Sequence, residues 1–139
     1  MTKELVDRLH ALERGIMDNF PLDADMVGYL NKMKEENASH EYVSMAYDIS
    51  AMHFRDALVF LPIVLLVEIS RITASDFGGC AECVVFWIRD LPQQDLLSLS
   101  RPQLALVKEW MELVAANGFC GDDDVRKALV AVDAALWRY

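Results

Sequence analysis

Cys80-Ala81-Glu82-Cys83 is a C-x-x-C, a spacing that lets two thiolates reach one metal ion or each other. Redox use of that spacing needs a strand leading into a helix, as in thioredoxin-like proteins, and the neighbouring residues supply no such strand. A structural zinc site needs about four ligands. Only Cys120 with His10, His40 or His53 is left to complete one, and none belongs to a second paired motif. Small, partly buried thiols near a helix start account for the spacing without metal, so no metal and no cofactor is expected. His53 lies near Asp48 and Asp56 on one stretch, the residue types of a general base and its orienting partner. As a helix residue at the edge of a core, beside Phe54, it needs no catalytic role. No nucleophile elbow, phosphate-binding loop, dinucleotide fingerprint or H-E-x-x-H occurs, and the expectation is a protein that is not an enzyme.

Carboxylates are the next candidates. Gly121-Asp122-Asp123-Asp124 lacks the alternating oxygen ligands and closing glutamate of an EF-hand loop, being followed by Val125-Arg126-Lys127. Helix capping explains these aspartates, yet three adjacent carboxylates exceed what one cap uses, and in solvent they form a strongly negative spot. Glu35, Glu36 and Glu41 form a second acidic cluster. Trp87, Trp110 and Trp137 sit at helical spacings that suit a core, while Trp137, beside Arg138, also suits a half-exposed position. An exposed tryptophan ringed by charge is a common binding anchor. Asp122, Asp123, Asp124, Glu35, Glu36, Glu41 and Trp137 are therefore the expected partner-binding residues.

These residues must be held by helices. The uncharged run Ala57–Val67, closed by Asp56 and Glu68, is too short for the ~20 apolar residues of a bilayer span and reads as a buried centre, with no membrane role expected. Pro62 is tolerated in a first helical turn, which predicts a helix from Pro62 to Thr73 that is apolar all round. A buried strand at Leu58–Leu61 is the alternative. Leu5, Leu9, Leu12 and Ile16 predict a first helix over Thr2–Asn19. Asp23 and Asp25 open a second, carrying Met26, Tyr29, Leu30 and Met33. Ser39 caps a third, with Tyr42, Ala46, Ile49 and Met52 or His53. After a break at Ser75–Gly79, Ala81, Val84, Val85, Ile88 and Leu91 keep helical spacing until Leu91-Pro92-Gln93-Gln94 ends the segment. Ser100-Arg101-Pro102-Gln103 is a capping box with proline in the first turn. It opens a helix that buries Leu104 or Leu106, Val107, Trp110, Met111 and Val114 and stops at Asn117-Gly118. The last helix, capped by Asp122–Asp124, carries the stripe Val125, Leu129, Val132, Leu136 and Tyr139. The expected fold is all-α: a single compact bundle of about six to seven helices around a central buried apolar helix, one domain over residues 1–139.

Composition narrows the function. A formal charge of -9 repels nucleic-acid phosphates and attracts a basic protein surface, so no nucleic-acid partner is expected. The opening Met1–Arg8 mixes charge with aliphatic residues and shows no export signal. An odd number of cysteines, 3, in a chain that can fold without staples favours reduced thiols; cytoplasm is the expected location.

Three pieces together, Asp56-Ala57-Leu58-Val59-Phe60-Leu61-Pro62, Leu99-Ser100-Arg101-Pro102-Gln103 with Trp110, and Ala128-Leu129 leading to Leu136-Trp137-Arg138-Tyr139, resemble an uncharacterised family of small bacterial all-helical proteins. That resemblance carries over no catalytic residue. Such small, acidic helical proteins are similar in kind to bacterial immunity proteins, which cover the active surface of a toxin. The likeness implies a protein that neutralises a basic toxin domain. The competing expectations are a metal- or thiol-dependent sensor or enzyme using Cys80 and Cys83, and a helical structural subunit that self-associates through surplus apolar surface, given 54% hydrophobic residues.

Overall fold

The computed structural model describes residues 2–35, 58–73, 81–118 and 120–139, and among them every regular element is helical. The elements are α1 (Lys3–Asn19), α2 (Ala24–Lys34), a 3-10 turn (Leu58–Phe60), α3 (Leu61–Thr73), α4 (Ala81–Arg89), α5 (Gln93–Leu96), α6 (Arg101–Ala116) and α7 (Asp122–Leu136). The helix expected from Ser39 (Tyr42, Ala46, Ile49, Met52, His53) and the break at Ser75–Gly79 lie outside the described residues. Among those described, no helix is long and apolar enough to cross a membrane.

Local chemistry sets the helix starts. Thr2 caps α1, its hydroxyl accepting from the Leu5 amide at 3.2 Å, and Asp23 caps α2 by accepting from the Met26 amide at 2.8 Å. Both halves of the α6 capping box form: Ser100 Oγ accepts from the Gln103 amide (3.2 Å), and Gln103 Oε1 accepts from the Ser100 amide (2.9 Å). The Gln103 side-chain amide also donates to the Asn19 carbonyl at 2.8 Å, tying the start of α6 to the end of α1. Gly118, at φ 72°, ends the α6 turn in the left-handed region.

α3 runs without an exposed position from Leu61 to Ile69, each residue buried, and packs on α1 and α2. α1 turns Leu9, Leu12 and Ile16 into the core, and α2 contributes Leu30 and Met33. Arg71, near the end of α3, is buried and donates from Nη2 to the Met33 carbonyl at 3.1 Å, which fixes α3 to the last turn of α2. α1 also packs on α6, closely enough that a Cβ at Gly15 would stand 2.8 Å from Leu106 Cδ2. α7 packs on α4, α5 and α6, burying Val125, Ala128, Val132 and Ala135.

Several expectations change. The alternative strand at Leu58–Leu61 is not formed: residues 58–60 make a 3-10 turn that leads straight into α3, which starts at Leu61 rather than Pro62. Pro62 still sits in the first turn, where its missing N–H costs no helical bond. Pro92 does not simply end a segment. α4 stops at Arg89, and Pro92 is the N-cap of α5, a single turn too short to leave a periodic signature in sequence. Leu104, not Leu106, is the fully buried member of that pair. The α7 stripe is also rotated: Leu129 and Leu136 are half-buried and Tyr139 is exposed, because the small Ala128 and Ala135 face the neighbouring helices and allow close approach.

Gly28 lies in the middle of α2, exposed, with nothing within 4 Å of an added Cβ. Gly28→Ala is expected to raise stability by ~0.5–1 kcal/mol, because alanine loses less backbone entropy in a helix. Gly118→Ala, with equally open space but positive φ, is expected to lower it by about 1 kcal/mol. Urea unfolding of both variants checks the opposite signs.

Candidate partner-binding surface

Asp122, Asp123 and Asp124 occupy the first turn of α7, where their charge opposes the positive end of the helix dipole. The sequence predicts that these aspartates cap α7, and they do not. Gly121 takes the cap position with extended backbone and no side-chain bond, so the aspartates sit one step inside. Asp122 and Asp123 are exposed, and Arg126 reaches Asp123 only at 4.0 Å, a weak surface contact.

Asp124 is withdrawn from this patch. Its carboxylate, half-buried, accepts from Arg89 Nη1 at 2.9 Å, and the same guanidinium holds Asp90 through Nε (2.9 Å) and Nη2 (3.2 Å) while lying 4.8 Å above the Phe86 ring. Arg89 thus joins the end of α4 to the start of α7. Its hydrogen bonds to Asp90 lower the Asp90 carboxyl below its ordinary value, and those carboxylates raise the guanidinium in turn.

Cys120 enters α7 next to this junction. Burial raises its thiol pKa, and the negative Glu82 and Asp124 raise it further. The charge environment therefore opposes the thiolate that a nucleophile or metal ligand requires. Cys83 is half-buried on α4, and His10 is exposed on α1. Among the described residues no three His, Cys, Asp or Glu side chains gather as a metal site. Cys80, His40, His53, Asp48 and Asp56 lie outside them. So do Glu36 and Glu41 of the second acidic cluster, and Glu35 is an exposed residue at the C-cap of α2.

Trp87 and Trp110 are buried as expected, whereas Trp137 is 88% exposed, more than the half-exposed position its neighbours suggested. It follows α7 directly, on the face that also presents Asp123, Lys127, Val130 and Ala134, all exposed and spaced by three or four residues. Val130 is 64% exposed. The aspartates and the tryptophan therefore share one helix face but not one patch: the rise of α7 separates Asp122 from Trp137 by about 22 Å.

At the tryptophan end, a groove of about 480 Å³ opens between α6 and α7, lined by Arg101, Lys108, Asp133, Leu136, Trp137 and Tyr139. Lys108 Nζ and Asp133 Oδ1 pair at 2.9 Å across it, which raises the Lys108 ammonium pKa. Tyr139 is fastened by its hydroxyl, which donates toward the carbonyls of Leu97 and Leu99, and Arg101 Nη1 donates to the Tyr139 backbone oxygen at 3.2 Å. Sequence reading missed Arg101 and Lys108 as surface-site residues. Their two-turn spacing on α6 was legible, but the meeting of α6 with the end of α7 was not. No protein-family model, curated protein or solved structure matches the chain.

Two outcomes are expected from the junction. With the other two cysteines changed to serine, the iodoacetamide rate of Cys120 should inflect above the ordinary thiol value of 9.0; an inflection below it contradicts the described burial. Asp90 has a depressed folded pKa, so its contribution to stability is present above 3.8 and lost as pH falls through the lower folded value. The melting-temperature gap between wild type and Asp90→Asn should be open at neutral pH, small because Asp90 is solvated, and should close in acid.

Proposed function

We propose that the protein is an acidic binding protein that neutralises a protein partner: an immunity-type inhibitor that occludes the active surface of a basic bacterial toxin domain in the cytoplasm. It acts by occupancy, not catalysis. In this reading residues 1–139 are one helical domain, a compact bundle arranged around α3, whose rigidity presents the outer face of α7. The observation that carries it is Trp137, an indole left 88% in solvent at the rim of a groove, since a large aromatic side chain gains most by being covered.

The charge of -9 supports the choice of a basic partner, because it speeds encounter and suppresses acidic competitors. Asp122 and Asp123 provide the exposed carboxylates nearest the start of that face. Self-association is the competing reading, favoured by the exposed Val130 and Trp137 on one helix face, and a solution mass at micromolar concentration separates the two.

The test is affinity capture from source-cell lysate at low salt, with elution by rising salt and mass spectrometry of the eluate. One basic, toxin-like protein near stoichiometry is the expected result. Trp137→Ala should then cost that complex about 2 kcal/mol or more. Asp122→Lys should weaken it at low salt and matter less at high salt. An affinity unmoved by Asp122→Lys at low salt removes the electrostatic basis of the proposal.

A further inference from the structure

Charge along the outer face of α7 is ordered. Asp122 and Asp123 come first, Arg126 and Lys127 a turn later, then the exposed Val130, then Asp133 at the edge of the face and Arg138 just past the helix end. Those three carboxylates and three cations leave the face with no net charge, on a chain of net charge -9. It is a strip along which two copies can approach without local repulsion. The order also reverses sign about Val130. Lys127 precedes it by three residues and Asp133 follows it by three, while Asp122 precedes it by eight and Arg138 follows it by eight. A copy of α7 laid against this face and running the other way, with the two-fold axis at Val130, therefore sets cation opposite carboxylate throughout. Running the same way, it would set like charge on like.

In that register Arg126 of one copy comes level with Asp133 of the other. Asp133 Oδ1 takes Lys108 at 2.9 Å, and a carboxylate has a second oxygen with which to accept from Arg126. Arg126 is open to such a contact, because it reaches Asp123 only at 4.0 Å with both side chains in solvent. Asp123 in turn comes level with Arg138 of the second copy. Trp137 continues the helical backbone (φ -63°, ψ -20°), and side chains on a helix lean toward its N-terminus. Its indole then lies at the level of Ala134 in its own helix and of Arg126 and Lys127 in the second. A cation placed over the ring there covers a surface that is otherwise almost wholly in solvent. Ala134, exposed and small, leaves room for the approach.

We infer that a second copy of this chain docks antiparallel on the outer face of α7, with Val130 on the two-fold axis and each Trp137 covered by Arg126 and Lys127 of the other copy. A helix about 22 Å long and about 10 Å across presents a few hundred Å² per copy, well under the ~800 Å² per partner of a stable complex. The pairing is correspondingly weak, with a Kd on the order of 100 µM. The chain is then monomeric at the low micromolar concentrations at which a structural subunit is already assembled, and it pairs where it is abundant. The inference goes beyond the inhibitor reading and stands without it. Where both hold, the second copy and the partner compete for Trp137, so self-pairing shields the indole until the tighter partner displaces it.

The experiment is sedimentation of the full chain, kept reduced, over a concentration series from about 5 to about 500 µM that brackets the expected Kd. The mass should rise from 15.8 kDa toward twice that value, and tryptophan emission should shift to the blue over the same range. With Trp87 and Trp110 buried, that shift reports Trp137. Val130→Asp, which sets two carboxylates on the axis, should weaken pairing about tenfold or more. Asp123→Arg should weaken it about fivefold, and adding Arg138→Asp to the same chain should restore it. Overall charge gives the opposite order: Asp123→Arg makes the chain less acidic, so it would pair more tightly if net repulsion alone governed. All three positions are exposed, and a circular dichroism spectrum of each variant confirms its helices. A mass fixed at 15.8 kDa across the series overturns the inference. So does a dimer whose emission does not move, one that Val130→Asp leaves intact, an Asp123→Arg chain that pairs as well as wild type, or a double variant that does not recover. The two readings fail separately: the mass series uses no partner, and a lysate without a salt-sensitive partner overturns the inhibitor while leaving the series as it stands.

Discussion

Burial of the run Leu61–Ile69 is the constraint on which the packing of α1 and α2 depends. Nine consecutive buried positions, Leu61 through Ile69, leave no face of α3 for water, so other segments must cover it on every side. Each fully buried aliphatic side chain contributes ~1.5–3 kcal/mol relative to exposure, and truncating one to alanine typically costs ~2–5 kcal/mol because the cavity does not close. α1 and α2 supply part of that cover, with Leu9, Leu12, Ile16, Leu30 and Met33. The buried charges Glu68 and Arg71 come at the end of the run, and the Arg71 bond to the Met33 carbonyl turns one of them into a clamp between α3 and α2.

A second layer of order sits at the α4–α7 junction. Arg89 gathers Asp90, Asp124 and the Phe86 ring at one point, a charge-assisted set of contacts between helices that are far apart in sequence. Its effect on the surface is subtractive. Of three adjacent aspartates, one is committed to holding α7 in place, and two remain for solvent or a partner. The same geometry places Glu82 and Asp124 near Cys120 and opposes its ionisation, so the junction favours a structural thiol over a reactive one at that position.

α7 serves both purposes at once. Its inner face, Val125, Ala128, Val132 and Ala135, uses small and β-branched side chains that let α4 and α6 approach closely, while its outer face carries Asp123, Lys127, Val130 and finally Trp137. An amphipathic helix whose outer face starts at exposed aspartates and ends in an exposed indole combines acidic and apolar surface along one axis. A rigid helix holds such a sequence of surfaces at fixed separations.

The sequence by itself determined what depends on neighbours along the chain. Thr2, Asp23 and the Ser100–Gln103 box placed three helix starts, Gly118 an end, and the unbroken apolar run of α3 its burial, because capping and periodicity act within one turn. The one-turn α5 was too short for any period, and the inward face of α7 was misjudged toward Leu129 and Leu136 because alanine carries little hydrophobic signal even where close packing demands it. The candidate site was half legible: composition marked the aspartates and Trp137. Only the tertiary structure decided that Asp124 belongs to Arg89, that Lys108 faces Asp133, and that Arg101 and Trp137 line one groove. Those pairings join residues tens of positions apart, and the relative placement of packed helices is set by the whole core, which no local pattern encodes.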